Sequence, residues 1–163
     1  LAIKKASKLV ITVVQGKVVG GGLGLVCASD YVIAHESASL KLSELSIGIG
    51  PFVIAPVLKR KLGHAHFMNL CLNAKKWKSS VWGLDRGIYS EVFSCNDDLN
   101  SRVNEVVRDY ASYSTQAIYE NKAMFWNDYD NIYEEMTSGA MQSGRLILSE
   151  YSIEILKKIK PKE

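Results

Sequence analysis

Three consecutive glycines, Gly20, Gly21 and Gly22, and one carboxylate further along, Glu44, are the residues of this chain whose types and spacing suit a reaction. A glycine cluster between a strand and a helix leaves backbone N–H groups open to a ligand. An N–H in the first turn of a helix has no intrahelical acceptor and sits at the positive end of the helix dipole, so it favours negative charge. Glu44 stands alone as an acid among apolar Leu42, Leu45 and Ile47, and burial there would raise its pKa toward the working pH. Two nucleotide-binding glycine patterns are absent: no G-x-x-x-x-G-K-[ST] occurs, and G-x-G-x-x-G fails because Leu25 stands three residues after Gly22.

The elements that must hold these groups follow from the apolar pattern. Residues 9–14 read as a strand covered on both faces, 15–19 as a loop, and 23–29 as a short apolar helix. Residues 31–34 and 39–42 have the composition of short strands, separated by the polar turn at 35–37. A helical pattern over 53–62 ends at Gly63 and a second covers 65–72. Trp77 falls on an extended segment, Ser79 and Ser80 cap a helix over 81–86 that Gly87 closes, and 88–93 reads as a further strand. From residue 96 no strand signal recurs: helices are expected at 97–113, 115–126 and 131–160, the last interrupted near Ser138 and Gly139. The fold class is α/β, with residues 1–95 as its mixed part and an all-helical region at 96–163. Residues 1–7, with no initiator Met, read as the end of a helix whose start is missing, and so as the beginning of a fragment.

Composition narrows the function. A 163-residue chain with 47% hydrophobic residues has enough apolar surface for one core, and a net charge of +3 with interspersed signs gives no warrant for nucleic-acid binding. No run reaches the length of a membrane span. Cys27, Cys71 and Cys95 are odd in number and widely spaced, which suggests buried, reduced thiols and a cytoplasmic location. His35, His64 and His66 lack partners at ligand spacing, so no metal is expected.

The residues Lys8-Leu9-Val10-Ile11, Val14-Gln15-Gly16, Gly20-Gly21-Gly22, Asp30-Tyr31-x-Ile33-Ala34 and Ser43-Glu44-x-x-x-Gly48-x-x-Pro51 together resemble the enoyl-CoA hydratase/isomerase (crotonase) family. Gly63, Ala74, Gly83-Leu84 through Val92, and Glu154-x-x-x-Lys158-x-Lys160-Pro161 extend the likeness to the C-terminal end. The resemblance corresponds to the C-terminal two-thirds of a typical member. It implies a partial ββα spiral core with a helical C-terminal oligomerisation region, an acyl-CoA thioester as substrate with no separate cofactor, and a homo-trimer or hexamer of the kind found in fatty acid metabolism.

Roles carry over by position. The resemblance implies that Gly21 N–H is an oxyanion donor to the thioester oxygen and that Glu44 is the general acid/base. Gly20, Gly22, Gly24, Pro51 and Phe52 are implied to line the substrate site, and Lys157, Lys158 and Lys160 to meet the CoA phosphates, commonly from a neighbouring subunit. The family's second oxyanion donor lies in an earlier loop that this sequence lacks, so the chain alone is expected to be nearly inactive. Hydratases of the best-known type carry a further Glu three residues after the oxyanion glycine, where this chain has Gly24. Glycine there is expected to vacate room for a branched or carboxylated acyl chain, as in the methylglutaconyl-CoA hydratase-like branch. The activity implied is hydration of a 2-enoyl-CoA, a lyase reaction; the alternatives are double-bond isomerisation by Glu44 alone, or a non-catalytic remnant held by oligomer contacts.

Overall fold

A computed structural model describes residues 1–159. The chain builds two small sheets by stepping from one to the other. Strand β1 (Ile11–Val14) lies in the first sheet and β2 (Lys17–Val19) in the second, and helix α2 (Gly21–Ala28) follows the short N-terminal helix α1 (Ala2–Lys5) and these two strands. The step then repeats with β3 (Tyr31–His35), β4 (Ser39–Lys41) and α3 (Ala55–Leu72). Strand β5 (Lys78–Ser79), helix α4 (Ser80–Asp85) and strand β6 (Glu91–Phe93) return the chain to the first sheet. The result is a ββα spiral, with β1, β3 and β6 parallel and β4 flanked by parallel β2 and antiparallel β5.

Strand β3 is central and covered on both faces, which explains its unbroken apolar run. Val32 and Ala34 join the main core with Leu23, Leu40, Leu58 and Ile88, while Ile33 faces the opposite way and packs with Leu99 and Val106. The latter two belong to α5 (Asn96–Ser112), the first helix of the C-terminal region, which continues through α6 (Thr115–Phe125), α7 (Ile132–Ile147) and α8 (Glu150–Lys158). Trp126 and Ile132 are buried in the same cluster as the spiral residues. A buried ion pair adds a polar tie: Lys122 Nζ on α6 donates to Asp30 Oδ2 at 2.7 Å and to the Lys8 carbonyl at 2.9 Å, and the same carboxylate oxygen accepts Val10 N–H at 2.8 Å. Val107, Phe125, Leu148 and Leu156 of this C-terminal region remain exposed.

Four expectations need correction. The segment 15–19 is not all loop, because Lys17–Val19 pairs with β4. The last strand is shorter than 88–93; Ile88 and Tyr89 are buried ahead of it, outside the ladder, and β6 begins at Glu91. The helix over the C-terminal residues does not break near Ser138 and Gly139. It runs to Ile147 and restarts at Glu150, with Ser149 capping α8 by accepting Ser152 N–H. Gly139 instead allows contact, since a Cβ there would lie 2.6 Å from the Phe52 carbonyl oxygen. Finally, only Cys27 of the three cysteines is buried; Cys71 is half-buried and Cys95 exposed. Burial pushes the Cys27 thiol up to about 12, as suits a small core hydrophobe.

Gly63, by contrast, stops its helix as expected: its φ of +66° kinks α3 and divides it near the predicted boundary. Ser79 accepts Trp82 N–H as the cap of α4.

Candidate functional site

The turn from β2 into α2 needs Gly20. Its φ of +54° is open to glycine but strained for other residues, and its N–H donates to the Lys41 carbonyl, fixing the turn against β4. Its carbonyl then accepts from Leu23 and Gly24 as the helix begins. The N–H groups of Gly21 and Gly22 precede the first intrahelical donors, and among the described residues neither has a hydrogen-bond partner. No atom comes within 4 Å of where a Gly21 Cβ would be, so space is open beside that residue.

Glu44 lies against this turn. It starts the 3-10 turn Glu44–Ile47, which is closed by Ile49 N–H donating to the Glu44 carbonyl and by Gly48 N–H donating to that of Leu45. A Cβ built on Gly20 would lie 3.0 Å from Glu44 Oε1, so a side chain there would crowd the carboxylate. The other oxygen, Oε2, is buried with no hydrogen-bond partner. Burial raises the Glu44 pKa above the usual carboxylate range, and nearby Glu44 and Ser43 backbone amides offset only part of the rise. The sequence expectation of a raised pKa thus has its physical cause in the structure. Burial, reinforced by the Glu44 charge, also pushes the Cys71 thiol up to about 11.

The stretch from Glu44 to α3 is held by close contacts. Gly48, with φ +82°, meets Tyr151 and Ser152 of α8, and a Cβ on Gly50 would strike the Phe52 ring. Gly139 of α7 presses on the Phe52 backbone, and Gly24 of α2 on Ile54. The C-terminal helices therefore position the segment that carries the acid. Pro51 and Phe52 line an apolar pocket of about 400 Å³ with Leu45, Ile49, Phe67 and Cys71. A separate pocket of about 350 Å³ beside Asp30 and Lys122 shares no residue with the Glu44 turn or the glycines.

The space expected over Gly24 is not vacant. A Cβ there would fall 2.9 Å from Ile54 Cβ and closer still to its Cγ2, so Ile54 has taken the room. Lys157 and Lys158 are exposed at the end of α8, which packs on the Glu44 turn of its own chain; Lys160 lies outside the described residues. Sequence reasoning missed Ile54, Cys71, Gly139 and Ser152, whose parts depend on contacts distant in sequence. Gly139 alone carried a signal, a single glycine inside a helical pattern, and that signal also fits a break.

Among the described residues no cluster of His, Cys, Asp and Glu suits a metal, and no helix is long and apolar enough to cross a membrane. A model described as enoyl-CoA hydratase/isomerase matches residues 1–146. Bacillaene synthase dehydratase PksH of Bacillus subtilis is 44% identical over 77 residues, covering 45% of this chain and 30% of its own. The peroxisomal Delta(3,5)-Delta(2,4)-dienoyl-CoA isomerase of Arabidopsis thaliana is 28% identical over 127 residues, covering 76% and 44% respectively. The crystal structure of enoyl-CoA hydratase from Bacillus halodurans shares the fold with a TM-score of 0.89 at 21% identity, over 96% of this chain and 63% of that one. The chain thus spans less than half the length of these two curated relatives.

Proposed function

We propose, for a chain that belongs to the enoyl-CoA hydratase/isomerase family, that it holds the thioester oxygen of an acyl-CoA at Gly21 N–H and moves a proton with Glu44. The observation that carries this reading is a buried, unpartnered carboxylate oxygen on an acid packed against a turn whose first helical N–H groups are free. In hydration, Glu44 takes a proton from water as the water oxygen bonds to C3 of a 2-enoyl thioester. The C2–C3 electron pair moves toward the thioester oxygen, where the Gly21 N–H stabilises it, and the proton returns at C2. The same base also serves isomerisation, removing a proton from C2 and returning one at C4. With Gly24 in place of a second acid, Glu44 is the one proton carrier in either reaction. Exposed Phe125, Leu148 and Leu156 support assembly as a homo-oligomer, a trimer or hexamer on the family pattern.

Proton NMR in D2O tests the shared step. Joined to the family's earlier oxyanion loop, the protein is expected to exchange the C2 protons of butyryl-CoA for deuterium, and to convert 2-butenoyl-CoA to the 3-hydroxy product or 3-hexenoyl-CoA to the 2-enoyl isomer. No C2 exchange and no conversion of either enoyl thioester would contradict the assignment.

A further inference from the structure

Two glycines of the turn into α2, the N-cap Gly20 and the buried Gly24, are each covered by a different kind of group. Over Gly20 sits Glu44 Oε1, 3.0 Å from the place of a Cβ. Over Gly24, four residues on and therefore about 6 Å along the helix, sits Ile54, whose Cβ, Cγ2 and Cδ1 all lie within 3.8 Å of the place of a Cβ. Ile54 immediately precedes α3 and packs against the main core, yet it is only half-buried. Its neighbour Phe52 is braced from behind by the backbone contact with Gly139, so the segment carrying Ile54 has little freedom to retreat.

We propose that Ile54 is a specificity-determining residue that walls the acyl end of the site beside Glu44. This rests on the reading that Gly21 and Glu44 hold an acyl-CoA thioester. A side chain at position 24 would have to share this volume with Ile54, so the chain presents an aliphatic wall where a longer residue on α2 would otherwise reach. A carboxylated acyl group would lose its hydration against that wall with no partner in return. Branching would need room that Cγ2 and Cδ1 already fill. The substrate class is therefore a short, unbranched, uncharged acyl thioester, the reverse of what a vacant position 24 implies.

Calorimetric titration of the protein with butyryl-CoA and 3-methylbutyryl-CoA tests the wall. The unaltered protein is expected to bind the straight chain at least about tenfold more tightly, a typical value of one misplaced methyl group in an apolar pocket. Ile54→Ala should narrow that ratio about tenfold by strengthening the branched ligand, and Ile54→Val, which removes one methylene and keeps the fold if alanine does not, should narrow it partway. Gly24→Ala should lower the melting temperature, and adding Ile54→Ala should restore it, because the two side chains compete for one space. Equal changes in affinity for both thioesters in the Ile54 variants would overturn the assignment of Ile54 while leaving the acyl-CoA reading intact. Failure of the unaltered protein to bind either thioester would overturn that reading and the wall with it.

Discussion

Glu44→Gln is expected to lower turnover about a thousandfold, within the range that a positioned acid or base contributes, while acyl-CoA affinity changes little. The amide keeps the shape and packing of the carboxylate but carries no exchangeable proton of suitable pKa, so the loss falls on kcat rather than KM. The pH profile gives a second signature. Burial raises the Glu44 pKa, and the base form is the reactive one, so the rate should fall as pH drops through that raised value. Stability runs the other way. The folded chain keeps the Glu44 proton at pH values where the unfolded chain has lost it, so this group's contribution declines as pH rises from the ordinary carboxylate range through the raised pKa. Glu44→Gln removes that decline. Calorimetric melting should therefore show a variant as stable as the parent at neutral pH or more so, and nearly inactive. Loss of folding and activity together would indicate a structural role for Glu44.

Lys122→Met is expected to destabilise the fold by about 3 to 5 kcal/mol, because it leaves Asp30 buried without its cation. The Lys122 side chain is 4% exposed and that of Asp30 12%, so water offers little replacement. Asp30 also accepts Val10 N–H, which ties the start of β1, and Lys122 reaches the Lys8 carbonyl of the same segment. Removing the cation thus loosens the junction between α6 and the first sheet, far from Glu44 in sequence. Urea unfolding measures the loss. Pairing Lys122→Met with Asp30→Asn should recover much of it, since the amide oxygen still accepts Val10 N–H and no charge is left alone. A single variant as stable as the parent would show that the ion pair is not a fastener.

Much of the spiral was legible because its signals are local. Short apolar runs bounded by turn residues mark the strands, Gly63 and Gly87 end helices at positive φ, and Ser79 announces the cap of α4. The glycine triplet and the lone Glu44 were likewise readable, because a bare N–H at a helix start and an acid among apolar residues are local properties. What could not be read was contact between distant segments. Gly139 inside a helix looks the same whether it breaks the helix or admits the Phe52 backbone, and only the fold shows the latter. The same limit misled the reading of Gly24. A missing side chain suggests space, but Ile54, thirty positions away in sequence, fills it. Strand β2 was hidden because three residues between a turn and a glycine cluster show almost no period, and their pairing with β4 is what makes them a strand.

A hydrogen bond from Gly21 N–H to the oxygen of a thioester is visible to nitrogen-edited proton NMR: the Gly21 amide is followed while butyryl-CoA is added, and then its thioether analogue, which lacks the carbonyl oxygen. The thioester is expected to move the Gly21 amide proton downfield, as a new hydrogen bond requires, with a smaller change at Gly22, and the thioether to leave Gly21 nearly in place although it still binds. A Gly21 amide that moves equally with both ligands, or with neither, would contradict that assignment.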